Sequence, residues 1–394
     1  MLRRPLVRRA VPLGAAITGM LVMVVGVGAG TSSAAPKTGQ FTVVASGFDN
    51  PRGLTFGQDG QLYLAEAGKG GPNCVSGGGG GSICPGLTSA ISVISPNGSH
   101  HRVVSGLASI SDVGGFGATG LDGVSFKEDV GLYGIITGCP QQLGQIPPGT
   151  FDNALTEALQ DQVGQEIKVT EPGEFKTVAP VGKVDWQWTL DHKNLVPDQF
   201  PDCNPYGIVA LSNSSQWVVD AASNTIDHIQ NGTVDVEKFV PNPPSSDAVP
   251  TCIAQGRDGA LYISELTGGG NVAGSANVWR FDPRSEALTV WASGLTAVTG
   301  CGFGPDGKFY ATEFSTKSGF DSAGPGDGAV VRVHKNSTTP EVVATGLSFP
   351  NGFAASNGAV YVSNWSISIA NPPPGGPPPG SVVKIAIHTG EGND

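Results

Sequence analysis

Two series of polar residues recur along this 394-residue chain at places where they could act together. The first stands at the starts of short apolar runs: Asn50 and Arg52, Asp122, Asn204 and Tyr206, Thr251, Thr299 and Asn351. The second lies three residues after a recurring aromatic position: Glu66, Asp220, Glu265, Glu313 and Asn364, with Ile136 breaking the pattern. Oxygen ligands converging from separate segments suit a hard divalent cation such as Ca²⁺. Asp122, Asn204 and Asn351 are its candidate ligands. Arg52 and Tyr206 suit an anionic or aromatic ligand, by charge-assisted bonding and by stacking. The acidic second series works against free anions and favours a cation or a neutral polar ligand. Its plainer role is structural, because an acid or amide ending a strand can accept backbone N–H groups of the next loop.

Other catalytic signatures are missing. There is no G-x-S-x-G elbow and no H-E-x-x-H pair, and the six histidines are scattered. The run Gly77 to Gly81 lacks the Gly-Lys-Ser/Thr ending of a phosphate-cradling loop, which argues against nucleotide binding.

The elements that must position these residues follow from composition and repeats. Gly (59) and Pro (30) together are frequent enough to break long helices, while 39% hydrophobic content supplies a core. That leaves an all-β fold with many turns. Short runs ending in an aromatic recur at Leu62-Tyr63, Leu132-Tyr133, Gln216-Trp217, Leu261-Tyr262, Phe309-Tyr310 and Val360-Tyr361. Four follow a hairpin signal at a fixed offset, Asp59-Gly60, Asp258-Gly259, Asp306-Gly307 or Asn357-Gly358. A strand precedes each turn, a third follows past a variable loop, and a fourth ends in a tag such as Ala292-Ser293-Gly294-Leu295 or Ala344-Thr345-Gly346-Leu347. Six four-stranded units make a six-bladed β-propeller. The last unit lacks a fourth strand, and Val43-Val44-Ala45-Ser46-Gly47-Phe48 carries the missing tag. The N-terminal strand is therefore expected to complete the last blade and hide its open edge.

Loops between second and third strands are long and should share one face with the links between blades, which marks that face for binding. The stretch of about 137–183 reads as the longest loop, with a short helix signalled by Phe151, Leu155, Leu159 and Val163. Residues 36–394 read as one propeller domain.

Residues 1–35 read as a secretory signal peptide: four arginines, an uncharged stretch and a small-residue site near Ala34-Ala35. The alternative is a retained anchor, since about 20 uncharged residues can span a bilayer. Cleavage would take the net charge from −11 to −15, which excludes nucleic acid as a partner. Export and six cysteines imply three disulfides, and six cysteines allow fifteen pairings. The blade assignment favours Cys74 with Cys84 in one loop, Cys139 with Cys203 across the long insertion, and Cys252 with Cys301 between neighbouring blades.

The runs Asn50-Pro51-Arg52-Gly53-Leu54, Leu62-Tyr63-Leu64-Ala65-Glu66-Ala67-Gly68, Asn204-Pro205-Tyr206-Gly207 and Ser264-Glu265-Leu266-Thr267-Gly268 resemble the ScyD/ScyE family of exported proteins over nearly the whole mature chain. The resemblance implies a six-bladed propeller of the NHL and gluconolactonase-like kind, and export. The sequence departs from the family pattern at Cys203 and Cys252, where serine is expected. Two functions follow as expectations. One is a monomeric extracytoplasmic binding or scaffold protein whose looped face holds a small molecule, glycan or protein. The other is a metal-dependent hydrolase resembling gluconolactonases, which hold a divalent cation with a Glu, two Asn and an Asp. Asp122, Asn204 and Asn351 match three of those four, but Asn50 stands where the Glu belongs.

Overall fold

The computed structural model describes residues 41–76, 82–115, 117–144, 146–244, 246–268, 272–319, 322–367 and 380–387. The signal-peptide reading and the tract Gly77 to Gly81 lie outside them. Each blade is an antiparallel sheet built outward from the axis. The first holds Pro51–Phe56, Leu62–Glu66, Ser82–Ile94 and His100–Ser111, with Val75–Ser76 as an extra short strand. The second holds Leu121–Lys127, Gly131–Ile136, Glu166–Glu171 and Glu174–Ala179. The third runs Pro205–Ser212, Ser215–Asp220, Thr225–Gln230 and Thr233–Phe239. Blades four and five hold Pro250–Gln255 to Ala287–Leu295 and Val298–Phe303 to Glu341–Leu347. Blade six is Phe353–Ser356, Ala359–Asn364 and Ser381–Ala386, completed by Phe41–Ser46. The closing strand pairs from Phe41 opposite Ile385 to Ser46 opposite Ser381, so the ring is shut as the tags predict.

Three of the turns share the sequence Gly-x-Asp-Gly-x-x-Tyr, and its physics is local. The tyrosine ring of the second strand lies over the first glycine, where a Cβ at Gly256 or Gly304 would sit 2.6 Å from a ring carbon of Tyr262 or Tyr310. The Tyr262 and Tyr310 hydroxyls donate to Asp258 and Asp306 at 3.2 and 2.9 Å. Only glycine takes positive φ in these Asp-Gly turns, so they are longer than a type I′ pair. Asn357 (φ 51) and Gly358 (φ 70) form the one tight two-residue turn of the four.

The core lies between blades. Six apolar clusters fill the six blade interfaces, for example Leu54, Leu62, Leu64 and Ile94 against Ala45, Ala354 and Val382 where blade six meets blade one. Glycines set the spacing at the axis. A Cβ on Gly53 would lie 2.8 Å from the Asp122 carbonyl, one on Gly123 2.6 Å from that of Tyr206, and one on Gly207 2.8 Å from that of Thr251. Gly300 meets the Asn351 carbonyl and Gly352 that of Arg52 in the same way, so the series runs round the ring and returns to its start. Cys252 replaces the glycine in blade four, and there Cys252–Cys301 bridges blades four and five with Cα atoms 5.7 Å apart. Cys74–Cys84 and Cys139–Cys203 form as the blade assignment predicts, with Cα separations of 4.1 and 5.1 Å.

One expectation is corrected. The stretch read as a single loop over about 137–183 contains the third and fourth strands of blade two, Glu166–Glu171 and Glu174–Ala179. Before them come helices α1 (Pro140–Leu143) and α2 (Asn153–Gln162), and after them α3 (Val181–Asp191). The predicted helix is α2: Asp152 caps it by accepting from the Leu155 N–H, and Leu159 and Val163 are buried on the interface of blades one and two. Among the described residues no helix is long and apolar enough to cross a membrane.

Candidate functional site

Residues one position before the glycines form the polar ring: Arg52, Asp122, Tyr206, Thr251, Thr299 and Asn351, all buried. Each sits at the start of a first strand, so strand register alone brings together side chains up to 299 residues apart in sequence. All but Arg52 line an axial channel of about 90 Å³, walled by the first strands of all six blades. That volume holds a few water molecules and is below the ~150 Å³ that admits benzene in an apolar cavity.

The ring is largely self-satisfied. Arg52 donates through Nε to Asp122 (3.0 Å), through Nη1 to the Ser366 carbonyl (2.9 Å) and through Nη2 to the Ala118 carbonyl (2.7 Å). One guanidinium thus ties blades six, one and two, and its charge answers the buried Asp122 carboxylate. The Asn351 amide donates 2.7 Å to the Tyr206 hydroxyl, a strut from blade six to the opposite blade three. Thr251 and Thr299 donate to the carbonyls of Val298 and Pro350, stitching each first strand to the next.

Some hydrogen-bonding capacity is left unused. Among the described residues the buried Asp122 Oδ2 has no hydrogen-bond partner, the nearby Thr137 hydroxyl being committed to the Pro205 carbonyl (2.7 Å). The Tyr206 hydroxyl accepts from Asn351 and keeps its own proton to donate. Burial, and then the Asp122 charge, push the Tyr206 phenol up to about 12, so it is a donor at physiological pH. Burial also raises Asp122 above its ordinary range, and the Arg52 charge opposes the shift.

Asn50 and Asn204 stand in another layer, two residues before the ring positions. Asn50 has a left-handed backbone (φ 52), shared by its counterparts Val249, Ala297 and Phe349. Its amide donates to the Gly68 and Gly115 carbonyls at 2.7 and 3.0 Å, and so secures loops. Asn204 is half-buried; its backbone N–H donates to Asp220 and its carbonyl accepts from Ala221. Of the set Asp122, Asn204 and Asn351, the first and last line the channel and Asn204 is outside its lining. Among the described residues no three His, Cys, Asp or Glu side chains are arranged to hold a metal ion.

The second series takes the structural role. Glu66 accepts from the Asp49 N–H (2.7 Å), Asp220 from Asn204 (2.7 Å), Glu313 from Thr296 (2.8 Å) and Asn364 from Ser348 (2.8 Å). Each caps the link that enters its blade. Glu265 differs, accepting from the Asn277 N–H and from Trp279 Nε1 (2.5 Å). Burial pushes Glu265 and Glu313 up to about 7 despite these donors.

No family model and no curated protein sequence matches the chain. Solved structures do. A gluconolactonase from Xanthomonas campestris superposes with a TM-score of 0.50 at 6% identity, over 89% of this chain and 90% of that one. A putative glucose dehydrogenase-type oxidoreductase from Thermus thermophilus gives 0.50 at 12% identity, over 88% and 99%. The likeness is one of fold.

Sequence reasoning selected every ring residue but missed Asp185 and Asp227, two fully buried acids near blade three. It also misassigned Arg52, read as a ligand-facing cation. The alignment of Gly53, Gly123, Gly207, Gly300 and Gly352 would have separated the ring from the layer of Asn50 and Asn204.

Proposed function

We propose that the protein is an exported binding propeller of the ScyD/ScyE kind that takes a neutral, hydroxyl-bearing ligand, a glycan or polyol, at the head of its channel. The observation that carries this reading is the commitment of Arg52. All three of its nitrogens are bonded within the fold and its charge is matched by Asp122. The ring therefore offers neither a free cation for an anionic ligand nor an unmatched carboxylate for a cationic one. It offers a tyrosine proton, a donor fitted to a hydroxyl, with the buried Asp122 Oδ2 as an acceptor behind it. A channel of about 90 Å³ takes only such a group, and the rest of the ligand would lie on the looped face. Three disulfides and the basic-then-apolar N-terminus support export.

The hydrolase reading has one supporting observation, the unpartnered Asp122 Oδ2, which could face a cation or an activated water. A glycan and polyol array probed with wild type, Tyr206→Phe and Asn351→Ala distinguishes the two. Binding reduced at least tenfold by Tyr206→Phe, with unfolding little changed, supports the proposal. Lactone hydrolysis lost in Asp122→Asn would favour the hydrolase. If both ring variants lose stability and bind as wild type does, the ring is a packing feature.

A further inference from the structure

Helix α3 lies against the fourth strand of blade three and fills the link into that blade, on the looped face. Asp185 on α3 is completely buried, as are Asp220 and Asp227 from the second and third strands. Asp227 pairs with Val236 of the fourth strand, on which α3 packs, and the charges of Asp227 and Asp220 act on Asp185. Their partners are unequal. Asp220 accepts three backbone N–H groups, Asn204 on Oδ2 (2.7 Å) and Ala222 and Ser223 on Oδ1 (2.8 Å each). Among the described residues Asp227 accepts only from the Thr225 hydroxyl, at 3.3 Å, and its Oδ1 has no donor. Neither oxygen of Asp185 has one among them.

The charged groups around them bring no relief. Asp202, in the link after α3, acts with Asp220 and Asp247, and Glu237 of the fourth strand acts on Asp227. Lys183 of α3 is exposed, Lys238 makes no ion pair among the described residues, and His228 turns to Ser215 and Glu237. Three carboxylates sharing one buried space cannot all be ionised. A hard divalent cation would want six to eight oxygens, and among the described residues no group of three acids here is arranged to hold one. One proton supplies the donor that the cluster lacks.

We infer that Asp185 is the neutral acid, that its O–H donates to the open oxygen of Asp227, and that this shared proton latches α3 onto blade three. Burial, with the charges of Asp227 and Asp220, holds the Asp185 carboxyl well above the usual range, and burial raises Asp227 too, so the pair keeps a proton between them. With α3 docked, Asp185 keeps its proton through pH values where the released helix would ionise it. Docking therefore binds one extra proton, and its equilibrium constant falls up to tenfold per pH unit above about pH 4, until Asp185 ionises in the docked state. Above that point the constant levels off, with like charges facing each other and docking at its weakest.

Asp185→Asn replaces the proton with a permanent amide donor. Hydrogen exchange of residues 181–191 between pH 5 and 9, corrected for the intrinsic base-catalysed rate, separates the cases. Protection is expected to fall by up to tenfold per pH unit in wild type and to stay level in Asp185→Asn and Asp227→Asn. Should those variants fail to fold, the same measurement on Asp185→Ser, whose hydroxyl donates without titrating, is expected to stay level too. Equal pH dependence in wild type and in Asp185→Asn or Asp185→Ser, or a stoichiometric divalent ion whose removal loosens 181–191, would overturn the latch.

Discussion

Replacing Arg52 with methionine keeps most of the side-chain length and removes the charge. Asp122 would then be a buried carboxylate whose nearest cation is gone, with Oδ1 joining the already unpartnered Oδ2. Removing one partner of a buried pair costs about 3–5 kcal/mol. The Ser366 and Ala118 carbonyls also lose a charged donor, a further loss of about 1 kcal/mol or more each. These terms overlap, so a total near 5 kcal/mol is expected, a large share of the roughly 5–15 kcal/mol of a typical domain. The sign of the pH dependence follows. Asp122 is already raised by burial, and without the guanidinium it rises further. The folded variant holds a proton that the unfolded chain releases near pH 4, so its stability falls as pH climbs, by up to about 1.4 kcal/mol per unit. Urea denaturation at pH 5 and pH 8 should show the larger deficit at pH 8. Arg52→Met/Asp122→Asn should recover about 2 kcal/mol of it. A single variant within about 1 kcal/mol of wild type at pH 8, or a double variant no better than the single, would refute the pairing argument.

Removing Phe41–Ser46 exposes the strand Ser381–Ala386 and should give aggregation-prone protein; a soluble deletion variant unfolding in one cooperative transition, seen by light scattering and calorimetry, would count against ring closure. Gly352→Ala forces a methyl against the Arg52 carbonyl and should lower stability by about 1–3 kcal/mol in chemical denaturation, whereas alanine at Gly259, where a Cβ meets nothing within 4 Å, should cost only its left-handed backbone strain, about 1 kcal/mol.

What the sequence revealed was local. Gly-x-Asp-Gly-x-x-Tyr is legible because a turn, a tyrosine and its hydrogen-bond acceptor lie within seven residues. The closing strand was legible because its Ala-Ser-Gly-Phe tag repeats those of blades four and five. Blade two escaped notice in its outer half because Glu166-Ile-Lys-Val-Thr-Glu and Glu174-Phe-Lys-Thr-Val-Ala are charged and carry no tag, although their alternation was there to read. The ring residues could be picked out but not their commitments. That Arg52 reaches Ser366, 314 positions away, is set by the closure of six blades and by no neighbour in sequence. The pairing of Asp185 with Asp227 likewise depends on where α3 docks, which sequence pattern does not encode.

The central claim is that the Arg52 guanidinium is the cation against Asp122 and that the ring serves to bind. Metal analysis of the purified protein, before and after exhaustive chelation and Ca²⁺ dialysis, tests it most directly. The account predicts less than stoichiometric divalent metal in wild type and no change in its unfolding temperature on chelation. One tightly held divalent ion per chain, lost in Asp122→Asn, would contradict it and move the protein to the hydrolase reading.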